Sequence, residues 1–203
     1  MEPELLRNLI DKTAGTIHQH AEELTALDQA IGDGDHGINM KRGFEAIVKS
    51  SDEISDLPVG QALQKAGMAL VMSVGGASGP LYGSLLMGMG KAATDEPKTA
   101  EDIAAMFAEG VEAVKKRGRS DAGAKTMLDV LVPVLAAMRE PKGDPLGRAR
   151  SAADAGLAAT KAMLATKGRA SFLGERSVGH LDPGARSSAL LIHAVCDVLE
   201  EAR

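Results

Sequence analysis

An all-α protein is what this sequence predicts, and three observations predict it. Apolar residues recur at spacings of three and four along nearly the whole chain. Aromatic residues make up only 2% of the 203, so the core has to be built from Leu, Ala, Val, Ile and Met, and Ala, Leu and Met are strong helix formers. No stretch reads convincingly as a strand.

The elements follow in order. Residues 3–27 form a long helical pattern, with Leu6, Ile10, Ile17, Ala21 and Leu24 roughly on one face and Pro3 suited to the first turn. An acidic loop ends it. A second helix is expected from about Gly37 to Ser50, carrying Met40, Phe44, Ile47 and Val48. A third starts near Pro58, and Leu63, Ala66, Leu70, Val71 and Val74 give it one buried stripe. The run Gly75-Gly76-Ala77-Ser78-Gly79-Pro80 breaks the pattern. The fourth helix, about 80–94, is rich in Gly and Met. Thr99 with Asp102 resembles a capping box and opens the fifth, whose face is Ile103, Phe107, Val111 and Val114 and which stops near Gly118.

A polar loop, Arg119 to Ala124, leads to a sixth helix over about 125–139. Pro133 lies inside it and should kink it or weaken one turn. Asp144-Pro145 reads as an N-cap followed by Pro at the first helical position, and the seventh helix runs on to about Thr166. Residues 167–182 have no period. A loop that long in a compact domain is usually functional or disordered, and Phe172 and Leu173 argue against disorder. Asp182-Pro183 is a second cap, and the last helix carries Leu190, Leu191, Ala194, Val195, Val198 and Leu199. The count is eight helices in one domain, residues 1–203, without linker, repeat or low-complexity tract.

The formal net charge of −5 argues against a nucleic-acid surface and against an anionic membrane. A small anion can still bind where a few basic groups or metal ions converge. Cys196 is the single cysteine; it rules out an internal disulfide and a Cys-based zinc site and reads as a small core residue. No apolar run approaches the roughly 18 residues of a membrane span. The acidic N-terminus lacks a signal-peptide core, so the cytoplasm is the expected location.

One stretch stands apart: Asp28-Gln29-Ala30-Ile31-Gly32-Asp33-Gly34-Asp35-His36-Gly37-Ile38-Asn39. Three carboxylates fall within eight residues. Gly32-x-Gly34-x-x-Gly37 matches the dinucleotide fingerprint as a string, but a helix precedes it where a strand is needed. A Walker A motif is absent. An EF-hand loop starting at Asp33 would place Phe44 where its bidentate Glu belongs.

Two readings remain open for Asp28, Asp33 and Asp35: a solvated acidic loop, or a site for hard cations such as magnesium, which takes a few carboxylates plus substrate phosphates. A carboxylate at a helix C-terminus opposes the macrodipole, which counts against the first reading for Asp28. His36 and Asn39 begin a helix, where free N–H groups favour phosphate. Gly76-Ala77-Ser78-Gly79 opens another helix and is either a second anion site or a tight turn. Arg169, Arg176 and His180 share the aperiodic stretch. No Ser-His-Asp or Cys-His arrangement is evident. Phosphoryl transfer needs positioning and charge neutralisation more than a protein nucleophile, and these residue types suit it.

Four blocks in order, LDQAIGDGDHGINMKRGF, SVGGASGPLYG, GAKTMLDVLVPV and KGRASFLGERSVGHLDPGA, resemble the ADP-binding L subunit of bacterial dihydroxyacetone kinases (DhaL-type). The resemblance implies a closed barrel of eight antiparallel amphipathic helices with the nucleotide at one end, held by two Mg2+ ions. It implies Asp28, Asp33 and Asp35 as metal ligands and His36, Gly37, Ile38 and Asn39 at the phosphates. Ala77 and Ser78 would line the phosphate site, Gly118 and Met127 would lie near the adenosine, Arg169 would contact phosphate as the catalytic residue, and Asp182, Pro183 and Gly184 would complete the ADP site.

The family works in two modes: in one a similar domain uses free ATP as a substrate, and in the phosphotransferase-system mode ADP is a held cofactor. A phosphohistidine protein, the M subunit, rephosphorylates it to ATP, which donates to dihydroxyacetone on a separate K subunit. The substrate half is missing here, so the chain should be incomplete as a kinase alone. Other readings stay open: an ATP-exchanging kinase half for another hydroxyketone or sugar, a nucleotide-state reporter that docks a transcription regulator, and metal-dependent phosphate-ester hydrolysis. A homodimer is a further assembly that the apolar stripes leave open.

Overall fold

The computed structural model describes residues 2–93, 97, 99–141 and 143–202. Among them are α1 (Pro3–Gln19), α2 (Ala21–Ile31), α3 (His36–Lys49), α4 (Ser51–Ser55), α5 (Val59–Ser73), α6 (Ser78–Ala92), α7 (Ala100–Gly118), α8 (Leu128–Met138), α9 (Pro145–Thr160) and α10 (Pro183–Glu201), with a 3-10 helix at Arg169–Ser177. The described residues contain no strand, as the sequence predicts.

Among the described residues, ten α-helices replace the expected eight for two local reasons. The first long helix breaks at His20, where φ is −102° and ψ is 8°, and resumes as α2. Asp28 therefore lies in a helical last turn, not in the loop. The second addition is α4, five residues long and too short to show a period.

Other boundaries also differ from the pattern. Helix α6 begins at Ser78, ahead of the expected residue 80, and the expected end at residue 94 lies outside the described residues. Helix α8 begins at Leu128, three residues late. The Asp129 carboxylate accepts the Gly123 N–H at 2.5 Å and the Thr126 N–H at 2.7 Å, which turns residues 123–126 into a tight loop with Lys125 at φ 61°. Helix α9 ends at Thr160, not at Thr166, where the buried Lys125 takes up the Thr160 carbonyl. The capping box forms as expected: Thr99 Oγ1 accepts the Asp102 N–H at 3.1 Å and Asp102 Oδ2 accepts the Thr99 N–H at 3.0 Å.

The core runs through the whole set of helices. Ile17, Leu24, Met40, Leu70, Val111, Leu128 and Leu131 are each no more than 2% exposed. Val48, assigned to a buried face by spacing, is exposed instead. A satellite cluster of Ile31, Ala165 and Ala170, with Leu173 packed on it, ties the aperiodic segment to the end of α2. Phe172 points to solvent, 87% exposed, so only Leu173 of the expected pair helps to order that segment.

The glycines of α6 have a packing explanation. A Cβ on Gly67 would stand 2.8 Å from the Gly83 carbonyl oxygen, and one on Gly83 would stand 2.8 Å from that of Gly67. Gly60 and Gly90 oppose each other in the same way. On the other side of α6, a Cβ on Gly110 would lie 2.7 Å from the Leu85 carbonyl oxygen. Helix α6 is thus in backbone contact with α5 and α7. Helix α8 continues through Pro133. The Asp129 carbonyl that the missing Pro133 N–H would have bonded lies against Gly156 of α9, where any Cβ would overlap it.

The main neighbours are α1 with α3, α3 with α5, α5 with α6, α6 with α7, α7 with α8, α8 with α9, α9 with α10, and α10 with α1; α2 packs on α3. Among the described residues, no helix is long and apolar enough to cross a membrane.

Candidate functional site

The site is built where α2 ends and α3 begins. Asp28 sits in the last turn of α2, buried, and its Oδ2 accepts the N–H groups of Asp35 at 2.9 Å and His36 at 3.1 Å. An aspartate that opposes the dipole of its own helix is thereby placed on the favourable end of the next one. Gly32 makes room, since a Cβ there would overlap Asp28 Oδ1, and Gly34 reverses the chain at φ 76°. Carboxylate oxygens of Asp28, Asp33 and Asp35 come within 4.8 Å of one another, the last two exposed. Arg169 Nε lies 2.9 Å from Asp33 Oδ2 and offsets part of this charge.

His36 is buried. Its Nδ1 is 3.0 Å from Ser78 Oγ at the start of α6, and its Nε2 is 2.9 Å from Ser187 Oγ in α10. Burial lowers its pKa, opposed by the negative charges of Asp28 and Asp35. Ser187 Oγ is also 2.7 Å from the Tyr82 hydroxyl, which reaches Ser188 Oγ at 2.8 Å and donates to the Gly184 carbonyl at 3.2 Å. Burial pushes the Tyr82 pKa up to about 12, so this hydroxyl keeps its proton. One polar network thus fastens α3, α6 and α10 together.

The other expected residues fall around it. Gly37 packs at the start of α3 so closely that a Cβ would overlap the Ala21 carbonyl. Ile38 is 55% exposed. Asn39 is buried, its side chain facing Gly75. Ala77 is the N-cap residue of α6, and that helix has no side-chain cap. Its first-turn N–H groups have therefore no partner of the usual kind.

Asp182 caps α10 by accepting the Ala185 N–H at 2.7 Å. Its carboxyl is pushed up to about 7, chiefly by burial. Pro183 is buried, and Gly184 lies against Met127, which precedes α8. Gly118, at the end of α7, faces Leu81 in the first turn of α6.

The start of α3 thus meets the starts of α6 and α10, and that of α10 meets the approach to α8. Helix N-termini and donors converge on one end of the molecule next to a carboxylate cluster. That arrangement can hold a polyanion bridged by a hard cation.

The family comparison fits this geometry. The DAK2 domain matches residues 30–197. The chain belongs to the DAK2-domain family. A family member from Listeria innocua serovar 6a, named PEP-dependent dihydroxyacetone kinase 1, ADP-binding subunit DhaL, is 48% identical over 180 residues, covering 88% of each chain. The PEP-dependent dihydroxyacetone kinase ADP-binding subunit DhaL of Escherichia coli K12 is 39% identical over 201 residues, covering 96% of each. Among solved structures, the dihydroxyacetone kinase of C. freundii in complex with AMP-PNP and Mg2+ aligns with a TM-score of 0.73 at 25% identity; it covers 98% of this chain, which spans 34% of that one.

Sequence reasoning missed four residues here. Tyr82 and Ser187 sat in apolar helical patterns, where a pair of serines, Ser187 and Ser188, on an otherwise buried face was the available signal. Lys125 and Asp129 lay inside a quoted block but were read only as helix. Lys125 is buried, with Nζ 2.7 Å from the Ser177 and His180 carbonyls, 2.9 Å from Thr160 O and 3.2 Å from Met163 O. Its signal was a lone lysine opening a strongly apolar run.

Proposed function

We propose that this chain is the nucleotide-carrying subunit of a dihydroxyacetone kinase. The observation that carries the reading is the carboxylate triad, its oxygens within 4.8 Å, set against the starts of α3 and α6. It occurs in a family member nearly half identical to a protein named an ADP-binding subunit.

The residues fit magnesium: all three donors are carboxylate oxygens, and two are exposed and open to phosphate and water. Magnesium bound there supplies charge neutralisation and alignment of the phosphates. The chain's own groups do the rest. Asp28 fixes the start of α3 so that His36, Gly37, Ile38 and Asn39 border the phosphates. Ala77 and Ser78 present the uncapped start of α6. Arg169 leaves Asp33 for the phosphate that is transferred. Gly118 and Met127 border the adenosine, and Asp182, Pro183 and Gly184 close the ADP site.

ADP held by these residues would take a phosphoryl group from the M subunit's phosphohistidine and would supply it to a hydroxyl of dihydroxyacetone on the K subunit, remaining on this chain. The architecture we infer is one domain, residues 1–203, in a closed barrel of eight antiparallel helices in the cytoplasm. The neighbour order α1, α3, α5, α6, α7, α8, α9, α10 and back to α1 supports it. A transcription regulator that senses bound ADP or ATP is a further partner for the same end.

The test is to denature freshly purified protein and assay the released nucleotide. Stoichiometric ADP surviving gel filtration is expected, and Asp33→Asn or Asp35→Asn should abolish its magnesium-dependent retention with helix content unchanged. Wild-type retention in both variants would overturn the metal assignment. A protein purified empty that binds ATP reversibly would favour the ATP-exchanging reading.

A further inference from the structure

The segment between α9 and α10 is 22 residues long and carries Arg169, yet its ends are held together. The Gly179 N–H donates to the Lys161 carbonyl at 2.7 Å, and the Thr166 N–H to the Ala124 carbonyl at 3.2 Å. The Asp182 N–H donates to Thr160 Oγ1 at 3.2 Å, and Ser177 Oγ accepts the Ala165 N–H at 3.0 Å. At the centre of these contacts is the ammonium of Lys125, 1% exposed, with four backbone carbonyls around it. Two come from the entry to the segment, Thr160 and Met163, and two from its exit, Ser177 and His180.

An ammonium has three N–H donors, so the four oxygens share them in a cage like that of a bound cation. Nothing about helix α8 requires this. The residue is held at φ 61° by the turn that Asp129 builds, a conformation disfavoured for a side chain of this kind. The strain points Lys125, the one buried lysine among the described residues, into the segment that holds the arginine. Charge-assisted bonds to four carbonyls are among the stronger polar contacts a fold makes, and removing the donor leaves the Thr160 and Ser177 carbonyls without it in a buried place.

We propose that Lys125 is a positioning residue: it clasps both ends of residues 161–182 and so sets Arg169 beside the carboxylate triad. This rests on the reading that Arg169 serves the transferred phosphate. Burial holds the Lys125 ammonium below the ordinary lysine pKa, and the neighbouring Asp182 carboxylate opposes that shift.

The test uses full-length Lys125→Met, Arg169→Ala and the double variant, each assayed with M and K subunits for phosphoryl transfer and separately digested with trypsin. The segment offers Lys161, Lys167, Arg169 and Arg176 as cleavage sites. In Lys125→Met, cleavage within 161–176 should accelerate at least tenfold, and transfer should slow by about a hundredfold, as a small misplacement of a reacting group does. Because Lys125 acts through Arg169, the double variant should be no slower than Arg169→Ala, whereas independent roles would multiply.

Should Lys125→Met not fold, Lys125→Arg carries the same comparison, since a planar fork cannot serve four converging carbonyls. Trypsin resistance like that of the wild type, or multiplicative slowing in the double variant, would overturn the clasp. Unchanged transfer in Arg169→Ala would instead overturn the phosphate role of Arg169, leaving the digestion result to judge the clasp alone.

Discussion

Asp182 shows how one side chain can serve a cap and still cost stability. It accepts the Ala185 N–H, but burial raises its carboxyl to about 7 from an ordinary 3.8. The unfolded chain releases this proton near the ordinary value and the folded one holds it. Its penalty is therefore absent below about pH 4, grows as pH rises, and is complete above about pH 7. Asp182→Asn keeps a capping oxygen and has no proton to lose. Across that window the melting temperature of the wild type should fall relative to the variant, by an amount worth a few kcal/mol at most, on the order set by about 1.4 kcal/mol per pH unit. Parallel melting curves for the two proteins would refute the assignment. At the same scale, the cap at Asp182 and the acidic triad were legible in the sequence as residue types in a telling order. The roles of Tyr82, Ser187 and Lys125 were not, because each depends on a partner more than 30 residues away.

Helix α6 packs on α5 and α7 at backbone contact through glycines. Glycine inside a helix costs roughly 1 kcal/mol against alanine, yet Gly83 and Gly90 meet Gly67 and Gly60 of α5 at backbone distance. Gly67→Ala should remove that propensity cost and still lose stability, because its Cβ would sit 2.8 Å from both the Gly83 carbonyl oxygen and Met87 Cγ. Overpacking of this kind typically costs about 1–3 kcal/mol, and chemical denaturation measures it. A variant as stable as the wild type would show that α5 and α6 can separate freely. The periodicity located α6 and its neighbours well, since a buried stripe is a local pattern. It misplaced the start of α8, where the Asp129 carboxylate holds a tight loop just ahead of the helix, and the end of α9, where Lys125 reaches Thr160 from 35 residues away.

For the molecule as a whole, ligand linkage gives the broadest prediction. A ligand that binds only the folded state stabilises it by about 2.7 kcal/mol at a hundred times its dissociation constant. Mg-ADP should therefore raise the melting temperature of nucleotide-free protein in a concentration-dependent way, and EDTA should remove most of the gain. Equal stabilisation by ADP with and without magnesium would set the triad aside as a metal site. The sequence by itself determined the helical class, the apolar faces, the caps at Thr99, Asp144 and Asp182, and the crowding of three carboxylates before a helix start. All of these are written in spacings of a few residues, where the chain's own geometry decides. Only the tertiary structure decided that Asp28 caps α3 from the end of α2, that His36 joins α3 to α6 and α10, and that Lys125 closes the segment bearing Arg169. Those contacts cross between elements, from Asp28 and His36, eight residues apart, to His36 and Ser187, 151 residues apart, and no helical period records which groups a fold will bring to hydrogen-bond distance.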